Sequence, residues 1–198
     1  MEPVLSYNDK QIFYKYLDKS KIYFEFGSGG STYQAFFRKN IQKIYSVESD
    51  LEWYNKLQEI IKNENETETE NEINLIYHEM DTKPNTWGKP GPNSTELEHK
   101  NYSNHIIFIN ETDRQNIDLV LIDGRFRVAC CLKCFDIINN DCVIAFDDFL
   151  TRPHYHIVLN YYDIIEKTED NRLVILKKKH NINSIPKEVI EQYELIYL

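Results

Sequence analysis

Lys21-Ile-Tyr-Phe-Glu-Phe-Gly-Ser-Gly-Gly-Ser-Thr32 joins an apolar, aromatic segment to a cluster of glycines. The apolar half predicts a β-strand over 22–26, and the pattern after Ser31 predicts a helix. Between them, Gly27, Gly29 and Gly30 can adopt positive φ angles and let the backbone approach a ligand closely. A strand, a tight turn and a helix in this order predict a site for a nucleotide-like cofactor.

The composition narrows the classes of partner. The chain of 198 residues carries a net charge of −9, which disfavours binding to the phosphates of nucleic acids. No apolar run is long enough to span a membrane, and the first residues lack the pattern of a signal peptide. We therefore expect a single cytoplasmic domain over 1–198 that binds a small molecule, either as a monomer or as a homo-oligomer.

Strand and helix patterns alternate along most of the chain and predict an α/β fold, a Rossmann-like, doubly wound, mostly parallel seven-stranded sheet. The segments 162–168 and 172–178, joined by Glu169-Asp170-Asn171, predict an antiparallel hairpin at the C-terminal end. The run from Lys62 to Glu72 is rich in Asn, Glu and Thr and predicts a solvated connection. The polar segment 82–113 predicts a long loop over the active site.

Five predicted strands end in an acidic or glycine-rich turn. The acidic residues at these ends are Glu25, Glu48, Asp81, Asp123, Asp147 and Asp148. Because ligands bind beyond the carboxyl ends of such strands, these turns should face a common site. Glu48 lies about 20 residues beyond the glycines, where a carboxylate can accept hydrogen bonds from ribose hydroxyls.

A Rossmann dinucleotide site is one interpretation of this pattern, and three features disfavour it. The spacing Gly27-Ser-Gly29-Gly30 is not G-x-G-x-x-G, and Glu25 precedes the glycines by two residues. The chain also ends in a hairpin and lacks a second half that would hold nicotinamide.

The stretch Glu25-Phe-Gly27-Ser-Gly29-Gly30-Ser31 resembles the first motif of the class I S-adenosylmethionine-dependent methyltransferases, an acidic residue followed by G-x-G-x-G. Ser31 replaces the last glycine, and the resemblance covers roughly residues 22–178. It implies that S-adenosylmethionine lies with its methionine portion against Gly27 to Gly29, its ribose at Glu48 and its adenine near Met80-Asp81. By this resemblance the cofactor-binding residues are Glu25, Gly27, Ser28, Gly29, Ser31, Thr32, Glu48, Met80, Asp81 and Asp123. The cationic sulfur of this cofactor also suits an acidic pocket.

The segment from Asp141 to Phe149 resembles the metal-binding segment of cation-dependent O-methyltransferases, including sugar O-methyltransferases. The resemblance implies that Asp123 and Asp147 or Asp148 hold Mg²⁺, which would bind two substrate hydroxyls and lower the pKa of one. No third ligand can be placed after Asp123. The alternative is that Asp147 caps a turn and Asp148 is solvated.

Three residues are candidates for catalysis: Asp123, His154 and His156. Either histidine could act as a general base, and each has a structural alternative because a lone histidine near a helix start is commonly structural. Arg125 and Arg127 are predicted to pair with the aspartates or to bind a phosphate or carboxylate of the substrate. Trp87 is predicted to cover the adenine or the substrate, or to anchor the long loop.

These observations predict a methyltransferase that acts on a small hydroxylated acceptor, with O-methylation of a sugar or nucleotide-sugar as the leading interpretation. Two alternatives stay open. One is a binding or scaffold protein that keeps the methyltransferase fold without the reaction, and the other is a nicotinamide-dependent oxidoreductase.

Overall fold

The computed structural model describes residues 1–64, 71–170 and 172–198. Its strands are Ile22–Phe26 (β1), Lys43–Glu48 (β2), Glu72–Tyr77 (β3), Leu119–Ile122 (β4), Val143–Phe146 (β5), Tyr162–Lys167 (β6) and Val174–Lys178 (β7). Its α-helices are Tyr7–Leu17 (α1), Gly30–Phe36 (α2), Leu51–Glu64 (α3), Glu96–Tyr102 (α4), His105–Phe108 (α5), Glu111–Gln115 (α6), Arg127–Ile137 (α7) and Lys187–Tyr193 (α8). A 3₁₀ helix covers Pro153–Asn160.

The strands form one seven-stranded sheet in the order β3-β2-β1-β4-β5-β7-β6. The first five pair in parallel, and β7 pairs antiparallel with both β5 and β6. This confirms the predicted α/β fold with its mostly parallel sheet and C-terminal hairpin. The chain winds outward from β1 to β3 and then returns to place β4 on the other side of β1. The crevice beyond the carboxyl ends of β1 and β4 is therefore the switch point at which such sheets bind ligands.

Apolar residues cover both faces of the sheet, as the nearly continuous apolar runs of β1 and β4 require. Alternate residues of β1 enter different hydrophobic clusters: Tyr23 packs with α1, α2 and α3, whereas Phe24 and Phe26 pack with α7. All five residues of β1 are buried. The sheet thus gives the turn after β1 a rigid base.

The segment 82–113 differs from the predicted long loop, because the short helices α4, α5 and part of α6 lie within it. Local capping accounts for α4 and α6: the Thr95 hydroxyl accepts from the Glu98 N–H, and the Asn110 side chain accepts from the Asp113 N–H. The predicted solvated connection at 62–72 and the predicted hairpin turn fall partly outside the described residues, at 65–70 and at Asn171. Within the described chain, no helix has the length and apolar character needed to cross a bilayer.

Candidate functional site

The turn after β1 requires glycine at its first position. Gly27 has a φ of +93°, and a Cβ atom there would lie 2.7 Å from the backbone nitrogen of Gly124. The backbones that follow β1 and β4 are therefore in direct contact, with no room for a side chain between them. This contact forms the floor of the crevice at the switch point.

The buried side chain of Glu25 stabilises this turn through hydrogen bonds. Its carboxylate is fully buried and accepts hydrogen bonds from four hydroxyl groups, those of Tyr23, Ser31, Thr32 and Ser46. The Thr32 hydroxyl in turn accepts the Gly29 N–H at 2.8 Å, which links the carboxylate to the glycine turn. Burial raises the pKa of Glu25. Neither Glu25 nor Thr32 lines the cavity described below, so the geometry assigns both to positioning the turn rather than to contacting a ligand.

Glu48 ends β2 and faces the crevice from the other side. Its Oε1 accepts the backbone N–H groups of Ser49 and Asp50, both at 2.7 Å, and its Oε2 accepts the Ser28 N–H at 3.2 Å. These bonds fix the orientation of the carboxylate. Burial raises its pKa to about 7, although the three backbone donors act in the opposite direction. The remaining lone pairs can accept hydroxyl groups of a ligand.

A cavity of about 540 Å³ opens above these residues. It runs from the turn after β1 past Glu48 to Asp123 and Arg125 at the end of β4. Its size is within the range of small-molecule and cofactor sites. Of the residues predicted to bind the cofactor, those that line this cavity are Gly27, Ser28, Gly29, Ser31, Glu48 and Asp123. Met80 is buried and Asp81 accepts the Asn93 N–H at 2.8 Å, and neither lines it.

Two walls of the cavity come from residues that the sequence patterns did not indicate. Trp53, on the first turns of α3, lines it and donates its indole N–H to the Ser28 carbonyl at 2.9 Å. The position of Trp53, five residues after Glu48, was the sequence feature that could have indicated its place in the cavity wall. The N-terminal segment, defined as residues 1–4, forms the second wall and crosses the glycine turn. Gln34 holds this segment by donating to the Met1 carbonyl at 2.9 Å.

The glycine turn offers a matched pair of substitutions. A Cβ at Gly30 would lie 2.2 Å from the backbone carbon of Glu2, whereas a Cβ at Gly29 would meet no heavy atom within 4 Å. We expect Gly30→Ala to displace the N-terminal segment and to weaken binding of S-adenosylhomocysteine roughly tenfold, since lost contact of about 50 Å² corresponds to slightly over 1 kcal/mol. Gly29→Ala should bind nearly as the unmodified protein does. Equal calorimetric affinities for the two variants would contradict this role of the segment.

A covering loop, defined as residues 85–88, crosses the cavity mouth. Asn85, Trp87 and Gly88 all have positive φ angles, and the Trp87 side chain is 77% exposed. At one end Gly88 packs against Ser49, so closely that a Cβ would lie 2.7 Å from the Ser49 hydroxyl oxygen. At the other end Arg125 donates to the carbonyls of Thr86 and Trp87, at 2.7 and 2.9 Å. The loop therefore connects the end of β2 to the end of β4 above the site.

The paired aspartates belong to a cluster of opposite charges. Its members are Asp123, Asp147, Asp148, Arg127, Arg152 and Arg172. Arg127 pairs with Asp123 at 2.9 Å, while Arg152 and Arg172 pair with Asp148 at 2.7 and 3.1 Å. These pairs hold Asp148 at a φ of +58°. Asp147 is buried, and its pKa rises to about 7 because of burial and the neighbouring carboxylates Asp123 and Asp148.

This cluster does not fit the magnesium site that the resemblance implied. Asp123 and Asp148 are already paired with guanidinium groups, and among the described residues only Asp147 Oδ1 is a buried side-chain oxygen without a hydrogen-bond partner. Mg²⁺ requires several oxygen ligands that are free to coordinate it. Across residues 1–64, 71–170 and 172–198, no group of three His, Cys, Asp or Glu side chains could hold a metal ion. Not all of these pairs could be seen in the sequence: Arg127 and Arg152 lie four residues from Asp123 and Asp148, but Arg172 reaches Asp147 and Asp148 only through the fold.

Of the three candidate catalytic residues, only Asp123 lines the cavity. His154 is exposed, and its ring packs on that of Tyr155. A ring nitrogen of His156 lies 3.2 Å from the Phe149 carbonyl oxygen. The structure therefore places both histidines outside the cavity, within the 3₁₀ helix Pro153–Asn160.

Solved structures share this architecture over 90% or more of the chain. A methyltransferase-like protein from Silicibacter pomeroyi superposes with a TM-score of 0.85 at 22% identity, covering 100% of this chain and 98% of that one. The fold is that of the methyltransferases. An O-methyltransferase from Bacillus cereus in complex with S-adenosylhomocysteine gives a TM-score of 0.59 at 10% identity, covering 90% of this chain and 83% of that one.

An RNA methyltransferase from Salinibacter ruber, in complex with S-adenosyl-L-homocysteine, gives a TM-score of 0.53 at 11% identity, covering 93% of this chain and 97% of that one. No protein-family model and no curated protein sequence matches the chain. The neighbours are named for different acceptors, so the fold they share does not indicate an acceptor for this chain.

Proposed function

We propose that this protein is an S-adenosylmethionine-dependent methyltransferase. The observation that carries the proposal is the position of Glu48, a buried carboxylate oriented by three backbone N–H groups across the cavity from the turn at Gly27. A ribose bridging this space would donate its two hydroxyls to the carboxylate, while the methionine portion of the cofactor would lie against the glycine turn. The neighbours solved with S-adenosylhomocysteine support this choice of cofactor.

The charge of the cavity also suits this cofactor. Its carboxylate side chains belong to Glu2, Glu48, Asp50, Glu52 and Asp123. A sulfonium cation gains from such a potential, whereas the pyrophosphate of a dinucleotide lying against the glycine turn would be repelled by the nearby carboxylates of Glu2 and Glu48. The electrostatics therefore favour S-adenosylmethionine over a nicotinamide cofactor.

For the acceptor we propose a small hydroxylated molecule, with a sugar or nucleotide-sugar to be tested first. The net charge of −9 disfavours a nucleic acid, which binds through its phosphates. The methyl group is already activated on sulfur, so the protein must mainly orient the acceptor and accept a proton. Asp123 is the acidic residue at the end of β4 that lines the cavity and can perform the second task.

Calorimetric titration with S-adenosylhomocysteine and with NAD tests the proposed cofactor. We expect S-adenosylhomocysteine to bind and NAD not to bind. Absence of S-adenosylhomocysteine binding at about millimolar concentration, which corresponds to a free energy of roughly −4 kcal/mol, would overturn the proposal. Transfer from labelled S-adenosylmethionine to candidate sugars and nucleotide-sugars then tests the acceptor.

The pKa of Glu48 predicts how cofactor binding depends on pH. Ribose hydroxyls donate to the ionised carboxylate, and the pKa in the free protein is about 7. Affinity for S-adenosylhomocysteine should therefore rise roughly tenfold between about pH 6 and about pH 8, as the ionised fraction rises by that factor. Titrations across this range should show the rise, and Glu48→Gln should remove it.

The raised pKa of Glu48 also affects the stability of the unliganded protein. Cofactor affinity is expected to rise with pH, whereas this contribution to stability falls. The raised pKa means that folded Glu48 binds its proton more tightly than unfolded Glu48 does. Its contribution to the free energy of unfolding therefore falls as pH rises from about 4.5, the ordinary value, through about 7. Urea unfolding without ligand would detect this fall relative to Glu48→Gln.

One observation favours a second candidate, a protein that binds the cofactor without transferring its methyl group. The candidate base Asp123 is paired with Arg127 at 2.9 Å, and both candidate histidines lie outside the cavity. Tight binding of S-adenosylmethionine with no transfer to any hydroxylated acceptor would favour this alternative.

A further inference from the structure

Arg125 differs from the other arginines near the end of β4. Arg127, Arg152 and Arg172 each pair with an aspartate. Arg125 follows Asp123 by two residues, yet within the described chain no carboxylate lies within 4 Å of its guanidinium group. Its Nε and Nη2 atoms donate only to the main-chain carbonyls of the covering loop, and its Nη1 has no partner among the described residues.

This guanidinium group is partly removed from water. Arg125 is half-buried and lines the cavity. Burial and the nearby charge of Arg127 lower its pKa. A buried cation without a counter-ion is costly, and an anionic ligand would relieve that cost. The two carbonyl bonds hold the group in a fixed orientation, so little side-chain entropy would be lost on binding.

The sheet order separates Arg125 from the part of the cavity proposed for the ribose. Glu48 ends β2 and Arg125 follows β4, and β1 lies between these strands. Two strand spacings correspond to about 10 Å. Glu48, Asp50 and Glu52 line the cavity at or just after the end of β2, together with Lys56, whereas Arg125 lines it beyond β4, where Asp123 is already paired with Arg127.

From this arrangement we infer that Arg125 binds an anionic group, a carboxylate or a phosphate, carried by the acceptor. The inference rests on the proposed function and narrows its substrate class from hydroxylated molecules to acidic hydroxylated molecules. A sugar phosphate, a nucleotide-sugar or a sugar acid has this chemistry, whereas a neutral sugar does not. The guanidinium fork matches the paired oxygens of either anion.

The test compares three probes on protein saturated with S-adenosylhomocysteine: glucose, glucose 1-phosphate and glucuronate. We expect both anionic probes to bind at least about tenfold more tightly than glucose, as a charge-assisted hydrogen bond implies. Arg125→Gln should abolish this preference, and Arg125→Lys, which keeps the charge, should retain part of it. Lys56→Gln, which removes the other cationic side chain lining the cavity, should leave the preference intact.

Equal affinity for the neutral and the anionic probes, absence of binding by both anionic probes, or a preference that survives in Arg125→Gln would each overturn the inference. A purely structural role in holding the covering loop would make Arg125→Lys as defective as Arg125→Gln, and that result would also overturn it.

A second experiment tests whether the anion at Arg125 belongs to the acceptor or to the cofactor, because the cofactor carries a carboxylate of its own. Arg125→Gln should weaken S-adenosylhomocysteine no more than it weakens methylthioadenosine, which lacks the amino-acid portion. Selective weakening of S-adenosylhomocysteine would show that the cofactor supplies the anion and would overturn the inference. Failure of the unmodified protein to bind S-adenosylhomocysteine would instead contradict the proposed function itself.

Discussion

Replacing Glu48 with glutamine is expected to weaken the binding of S-adenosylhomocysteine by about 100-fold, because two charge-assisted hydrogen bonds to the ribose would lose roughly 3 kcal/mol in total. The substitution preserves the shape of the side chain. Its amide group, however, cannot accept from the backbone N–H groups of Ser49 and Asp50 and from two hydroxyls at once. Calorimetry at about pH 8, one unit above the pKa of Glu48, measures the full effect.

The control for this experiment is Glu52→Gln. Glu52 also lines the cavity but is exposed, so its charge acts through water. We expect this variant to lose less than about threefold in affinity, in keeping with the small energies of exposed charges. If Glu48→Gln and Glu52→Gln weakened binding equally, the acidic potential rather than a bond to the ribose would account for the effect. If Glu48→Gln bound as tightly as the unmodified protein, the ribose assignment would be wrong.

Replacing Glu25 with alanine is expected to lower the free energy of unfolding by about 4 kcal/mol, since removing a buried carboxylate leaves its donors without an acceptor. Four hydroxyl groups depend on this side chain, and three of the residues that carry them, Tyr23, Thr32 and Ser46, are fully buried. Urea denaturation, followed by circular dichroism, measures the loss. The variant should also bind S-adenosylhomocysteine more weakly than the unmodified protein, because the Thr32 hydroxyl would no longer be fixed beneath Gly29.

Two further variants test whether the stability lost in Glu25→Ala comes from the buried hydrogen-bond network. Glu25→Gln keeps the volume and one acceptor oxygen and should cost less than Glu25→Ala. Glu166→Ala removes a carboxylate bonded to Lys15 and Tyr16 near the surface and should cost about 1 kcal/mol or less. A loss at Glu25→Ala no greater than that at Glu166→Ala would show that the buried network does not stabilise the fold.

The parts of the site that lie close together in sequence were predictable from it. The glycine turn begins directly after β1, and Glu48 is the last residue of β2. Parallel strands end at one edge of the sheet, so local pattern and sheet topology together place these residues in one crevice. The hairpin was predictable for a related reason, because its two strands are adjacent in sequence.

The parts that depend on distant residues were not predictable. Arg172 precedes β7, which enters the sheet between β5 and β6, and this insertion brings its guanidinium group to Asp148. A sequence motif that ends in paired aspartates carries no record of Arg172, so the sequence alone could not show how completely Asp148 is paired. The N-terminal segment was also missed as a wall of the cavity, since nothing local indicates that Glu2 packs on Gly30.

The backbone contact between Gly27 and Gly124 has a thermodynamic consequence. Gly124 is the neighbour of Arg125, so a ligand that draws Arg125 toward itself acts, through one peptide unit, on the turn that holds the cofactor. A shift of this shared backbone by one ligand would alter the affinity of the other, and the factor must be the same in both directions. The effect of the cofactor on acceptor affinity should therefore equal the effect of the acceptor on cofactor affinity.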